Sequence, residues 1–383
     1  MPKEITHWLI AETASRRIRE KGEENTGTER RLSKEALDRY PALVRLGAIA
    51  HDVLYYVRRR PKKERSSSAS QVIAPQIIAD AMHGAGGEDP FISFRFLYPL
   101  AALAPTVSAN TLLSNDVFPQ NAALNGVLSA RAFLFGLLTH CAADSVFHPL
   151  IYYRSGNFHE TSANLRVWRN HRALESAMDI AFARSFGYSY ANFSLTRDIQ
   201  AHREEMRILL SAIASAQQDF FGTDIDCFDY MQGYQTLARY RRLMEHRLFN
   251  AALDAMETCA AGVITRLVRY SQSLAQIHSY LGLRYSRAQA CRLPDTRALL
   301  RYRHPVSGEA LESSLEELFE ESVRRTLQIW NDMENKQIAA AENAPQAPLA
   351  YGLSLETGLR GVPVSAMRFF FAVEDDAEFV NFC

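Results

Sequence analysis

Between Gly136 and Tyr153 the chain is largely apolar, with Leu137, Leu138, Val146 and Phe147 among its residues, yet His140, Asp144 and His148 interrupt it at four-residue intervals. At about 100° per residue, positions so spaced share one face of a helix within an arc of roughly 80°. Phe133, Leu134 and Phe135 extend the apolar run on its N-terminal side. Such a helix belongs in a core. A core face bearing two imidazoles and a carboxylate carries a desolvation cost that something must meet. A divalent metal meets it for all three at once; hydrogen bonds to neighbours could meet it singly.

Other side chains of ligand type follow the same spacing. The pattern predicts a helix from Ala163 to Arg184 that places His171, Glu175 and Asp179 on one face, with Asp179 either supporting a ligating imidazole or lying at the surface. Upstream, a helix over Glu4–Arg19 carries His7, and a second, opened by Pro41, runs on through His51-Asp52 to Leu54. A short helix from Gln71 ends at His83, with Gly84 as its stop. The candidate ligands are therefore His7, Asp52, His83, His140, Asp144, His148, His171 and Glu175, drawn from five helical segments. Nitrogen and oxygen donors without thiolate suit zinc in a catalytic setting, and the set is large enough for two or three ions. Helix pairs four residues apart can present both donors to one ion.

The rest of the chain narrows the class. Its 383 residues allow one large domain or two smaller ones. Helical periodicity continues to about Leu283, Leu311–Trp330 reads as a charged amphipathic helix, and Val362–Phe382 could hold a strand or two. Arg58–Ser70 reads as a linker, and no solenoid-period repeat is visible. The expected fold is mainly α: a multi-helix bundle over residues 1–190 carrying the ligands, with a helical extension over 191–383 packed on it. The 43 basic and 43 acidic residues cancel, so composition gives no argument for nucleic acid or an anionic membrane. The 5 cysteines are scattered, which speaks against a disulfide framework or a thiolate zinc site. No leader is evident and the ligand residues break the one stretch apolar enough to suggest a bilayer span, so a cytoplasmic enzyme is the expectation. Nothing indicates a protein partner.

Taken together, Thr6-His7-Trp8, Gly47-x4-Asp52, His83, His140-x3-Asp144-x3-His148-Pro149 and His171-x3-Glu175 resemble the zinc-dependent phospholipase C family, whose fold is shared with single-strand-specific zinc nucleases. The resemblance covers roughly the first half of the chain. It implies that Asp52, His83, His140 and Asp144 hold one zinc and His148, His171 and Glu175 a second. A third would take His7 with Asp144 bridging. In secreted relatives the free amino end completes that third site; here removal of Met1 would expose Pro2 close to His7. The activity implied is hydrolysis of a P–O bond in a phosphodiester or phospholipid-like substrate by metal-activated hydroxide, with Asp52 orienting the water or taking its proton. Phe91, Phe94, Phe96, Leu97 and Tyr98 could rim such a site, or belong to the core.

Two other readings stay open. His51-Asp52 is also the doublet of helical HD phosphohydrolases, a reading that uses His51 and leaves His148, His171 and Glu175 without work. Alternatively the ligand set persists as a zinc-stabilised, non-catalytic binding module. The cluster Ser354–Leu359 reads as a structured tail, Cys141 as a small buried side chain, and His159, His202, His246, His278 and His304 as structural or exposed.

Overall fold

The computed structural model describes residues 3–22, 28–57, 74–91, 118–160, 165–188, 193–246, 248–249, 251, 295–334 and 353–371. Among these the fold is mainly α, with ten α-helices and one two-stranded hairpin. The linker at 58–70 falls outside the described residues, as do Met1, Pro2 and residues 92–100.

The organising element is α5, Phe118–Ser155, a helix of 38 residues and so roughly 57 Å long. From Leu128 to Tyr152 nearly every side chain is buried. Over that span it has no solvent face because neighbours pack around it: α1 (Glu4–Gly22), α2 (Thr28–Arg39), α3 (Pro41–Gly47), α6 (Leu165–Ser185) and α10 (Leu315–Asp332) all contact the helix. By length and composition Leu124–Ser155 could cross a membrane; 89% of its most apolar window is instead buried inside the protein.

The closest packing is with α3. A Cβ on Gly136 would lie 2.1 Å from the Val44 carbonyl oxygen, and one on Gly47 would lie 2.1 Å from the Phe133 oxygen. Only glycines allow the two backbones to meet there. The approach brings the Ala48 carbonyl to 2.9 Å from His140 Nδ1. Beyond α3 the chain does not continue as the expected helix: it turns at Ala48–Asp52 and enters a 3-10 turn, Val53–Tyr56. Asp52 is thus freed from a helix interior and stands at the mouth of a turn.

Pro149 does not end α5, although a proline inside a helix ordinarily breaks it; the helix runs on to Ser155 with Pro149 inside it. Proline lacks the N–H that would bond the Ser145 carbonyl. A Cβ on Gly358, which has φ +68°, would lie 2.5 Å from that oxygen, so a glycine in the left-handed region packs against the defect. The turn Leu353–Arg360, closed by a bridge between those two residues, is seated there.

Helix α4 (Pro75–Met82) ends at His83, and Gly84 follows with φ +69° as expected. After α6 come α7 (Leu195–Ala201), α8 (Arg203–Phe221) and α9 (Cys227–Glu245). Helix α9 lies against the Asp52 turn: a Cβ on Gly233 would be 2.2 Å from the Val53 oxygen, and Tyr234 OH donates to the Leu46 carbonyl at 2.7 Å. A hairpin, β1 (Leu300–Arg303) with β2 (Ala310–Ser313), pairs antiparallel, and β2 takes the first residues of the helix expected over Leu311–Trp330. Its four-residue strands were too short to stand out as an alternating pattern. Ser314 then opens α10 with a reciprocal capping box to Glu317. Val362–Phe371 holds a 3-10 turn and no strand; the remainder of that segment lies outside the described residues.

One hydrophobic cluster joins residues from Ile5 to Leu355, including Trp8, Phe133, Phe135, Phe147, Tyr230, Tyr234 and Trp330. Among the described residues Cys141 and Cys227 are free thiols.

Candidate metal centre

All eight candidate ligands are buried and converge on the C-terminal half of α5. His140 Nε2 is 3.1 Å from Asp144 Oδ2 and 3.4 Å from His83 Nε2. His83 Nε2 is 3.3 Å from Asp52 Oδ1, His7 Nε2 is 3.3 Å from Asp144 Oδ1, and His171 Nε2 is 3.0 Å from Glu175 Oε1. The donors fall into three groups: His7, His140 and Asp144; Asp52, His83 and His140; His148, His171 and Glu175. His140 therefore belongs to two of them, and Asp144 links the third, its Oδ2 lying 4.0 Å from His148 Nε2.

Four of the five ligand-type imidazoles are aimed from behind. A carbonyl can only accept, so the nitrogen facing it must carry the proton. His83 Nδ1 faces the Ala79 oxygen at 2.7 Å, His140 Nδ1 that of Ala48 at 2.9 Å, and His148 Nδ1 that of Leu355 at 2.8 Å. His171 Nδ1 lies 3.2 Å from Ser155 Oγ. When neutral, His83, His140 and His148 must present the Nε2 lone pair inward, and the Nε2 atoms of His83 and His140 meet with no proton between them. Both carboxylate oxygens of Asp144, Asp52 Oδ1, His148 Nε2 and both nitrogens of His7 have no hydrogen-bond partner despite burial. Zinc–nitrogen bonds of about 2.0–2.1 Å would set tetrahedral donors roughly 3.3–3.4 Å apart. The donor set and its spacing fit zinc.

The electrostatics call for cations too. Burial disfavours a charged His83, but Asp52, Glu356 and Asp144 outweigh it and raise its pKa to about 9. Asp144 is held well below the usual carboxylate range, the burial penalty being overcome by His140, His148 and His7. His7 and His171 are pushed down, chiefly by burial.

The flanking motif residues have positions of their own. Asp179 accepts from the Ile5 and Thr6 backbone N–H groups at 3.0 and 2.8 Å and from Thr6 Oγ1 at 2.6 Å. It thereby caps the first turn of α1 from α6, fixing the backbone beside His7. Asp179 is neither a surface charge nor, in these bonds, an imidazole's partner. Trp8 Nε1 donates to the Arg45 carbonyl at 2.9 Å and locks α1 to α3.

His51 takes no part in the three donor groups. Its ring stacks on His140 at 4.5 Å and its Nε2 faces Cys141 Sγ at 3.5 Å, a packing role that leaves the HD-type reading without its first ligand. Phe91 is buried in the core; the other suggested rim residues lie outside the described residues. The cleft over Asp52, His148, His171 and Glu175 is walled instead by Tyr55, Tyr56, Phe158 and Trp168.

A residue that sequence reasoning missed sits among them. Glu356 is buried, with Oε2 3.0 Å from His148 Nδ1 and accepting from Tyr152 OH at 2.6 Å, while Oε1 is 3.7 Å from His159 Nε2. No ligand spacing connects position 356 to position 148, so the sequence held no local signal.

A comparison with known families gives a match to the zinc-dependent phospholipase C model over residues 6–225. The chain belongs to the zinc-dependent phospholipase C family. The match begins at Thr6, takes in every candidate ligand and ends beyond α8, past the boundary at 190 drawn from the sequence. Zinc dependence and phosphoester hydrolysis are the family's properties, and the three donor groups are where this member of the zinc-dependent phospholipase C family could hold its ions. No curated protein and no solved structure matches this chain.

Proposed function

We propose that this chain is a zinc-dependent phosphoesterase that hydrolyses a P–O bond of a phosphodiester with two ions, or three. The observation that carries the reading is the convergence of inward-facing, unsatisfied nitrogen and oxygen donors in a buried cluster opening on a cleft. His148, His171 and Glu175 would hold one ion; His7, Asp52, His83, His140 and Asp144 would hold the remainder. Zinc, when bound, supplies Lewis acidity toward phosphate oxygens and brings the pKa of water toward about 7.

The chain's own residues do the rest. Asp52 lines the cleft; its Oδ1 faces the His83 and His140 nitrogens as a donor to the ion, and its other oxygen would align an attacking water and accept its proton. Tyr55, Tyr56, Phe158 and Trp168 offer aromatic surface to the organic part of a phosphodiester, and Arg172 stacks over Trp168 at 4.4 Å and steadies that wall. A phospholipid-like substrate suits such a wall and agrees with the family.

Hydrolysis of bis(4-nitrophenyl) phosphate and of phospholipid vesicles, with chelator and after zinc is restored, tests the proposal. Activity should vanish with chelation and return with zinc, and Asp52→Asn should lower kcat by about 10²–10⁴-fold. A zinc-loaded wild-type chain that cleaves no phosphodiester would contradict it.

A further inference from the structure

The turn Leu353–Arg360 lies far outside the stretch that matches the family, yet it touches both ends of the donor cluster. Leu355 N donates to the His83 carbonyl at 2.8 Å, and the Leu355 carbonyl accepts from His148 Nδ1 at 2.8 Å. One residue thus bridges an imidazole-bearing turn after α4 to one on α5. The turn is internally tied: Ser354 N donates to the Leu359 carbonyl at 3.0 Å, Thr357 Oγ1 to the Val362 carbonyl at 3.0 Å, and Gly358 seats against the carbonyl freed by Pro149. Farther on, Val364 N donates to the Ala85 carbonyl at 2.8 Å and Asn157 Nδ2 to the Val364 carbonyl at 3.0 Å. These contacts hold the segment as a fixed strap.

The strap delivers a carboxylate into a nearly water-free position, 2% exposed. A buried carboxylate is costly unless its charge has a partner. The single His148 Nδ1–H is shared between the Leu355 carbonyl at 2.8 Å and Glu356 Oε2 at 3.0 Å, and that carboxylate oxygen also accepts from the Tyr152 hydroxyl at 2.6 Å. His83 and His140 face carbonyls at the same ring position, as His148 faces that of Leu355, and His148 has the Glu356 carboxylate there as well. A carboxylate behind an imidazole does more than a carbonyl: it fixes the tautomer, makes the far nitrogen a better donor, and offsets part of the ion's positive charge. The distal group has few protein donors, His148, His171 and Glu175, so the donor strength of each matters more there.

We propose that Glu356, presented by the strap 353–360, is a positioning residue for the ion held by His148, His171 and Glu175, making the C-terminal segment part of the metal centre. The inference rests on the zinc reading above but not on any substrate.

The test uses the full-length chain, stripped of metal and titrated with Zn²⁺ against a competing chelator, then with Co²⁺, whose visible absorption reports donor geometry. Glu356→Gln preserves shape and removes the charge; Glu356→Ala removes both. Zn²⁺ affinity at the position lost in His171→Ala should fall about tenfold in Glu356→Gln and toward a hundredfold in Glu356→Ala, with the Co²⁺ band of that ion displaced. Should the alanine variant fail to fold, Glu356→Gln decides alone. Wild-type affinity and an unmoved Co²⁺ band in Glu356→Gln, whatever its thermal stability, overturn the inference and leave the zinc reading standing. A wild-type chain that takes up no zinc overturns both.

Discussion

His140 lies between two other imidazoles, with His7 stacked at 4.2 Å on one side and His51 at 4.5 Å on the other. Three packed rings cannot all carry charge. Burial and the neighbouring His140 push His7 and His51 down, whereas for His140 the carboxylates of Asp144 and Asp52 overcome burial and push it up. The outer ring at 51 therefore serves as packing. His51→Ala should retain the wild-type number of bound ions, read by elemental analysis, while losing stability; loss of metal would instead favour the HD-type arrangement. Asp179 carries the other titration of interest, raised from 3.8 to about 6 by burial first and by Glu4 next. Between those values the folded chain holds more protons than the unfolded one, so this group's contribution to stability falls as pH rises through the window. Asp179→Asn has no such slope. From pH 4.5 to 7 its stability in urea should gain about 2 kcal/mol on that of wild type, and parallel curves would show that the carboxyl is ionised throughout.

At the scale of elements, the crossing of α3 and α5 decides whether the donors meet at all. Gly136→Ala forces a Cβ against backbone atoms at Val44 and Ala48. It should cost about 1–3 kcal/mol or more in denaturant unfolding, and by withdrawing the Ala48 carbonyl it should loosen His140 and weaken zinc binding. Gly126→Ala, on an open face of the same helix, is the control and should stabilise by roughly 0.5–1 kcal/mol. Equal effects would show that the crossing is not tight. The sequence made α5 legible because its apolar run is long and the three ligand-type residues within it keep one helical spacing. It did not reveal that the helix survives Pro149, because the compensation comes from Gly358, more than two hundred residues away. The helix expected through Asp52 fails for the complementary reason: its apolar pattern is satisfied by a turn packed under α9.

For the whole molecule, the legible part of the site is the part written in four-residue steps: His140, Asp144 and His148 on α5, His171 and Glu175 on α6, each pair fixed by helical geometry alone. His7, Asp52 and His83 carry no such mark singly; they stood out as ligand-type side chains on apolar helical segments, and the family's ordered motifs tied them to the rest. What lay beyond reach was tertiary: Asp179 capping α1, α9 bracing the Asp52 turn, and Glu356 reaching His148 from the far end of the chain. Residues after 190 thus support the donor cluster, although no spacing in them announces it. Elemental analysis of the purified protein beside His148→Ala and His171→Ala tests most directly whether these imidazoles and carboxylates close round zinc. Each variant should lose the same single ion and keep what His7, Asp52, His83, His140 and Asp144 hold; a wild-type protein without bound metal, or variants that keep the full complement, would contradict that closure.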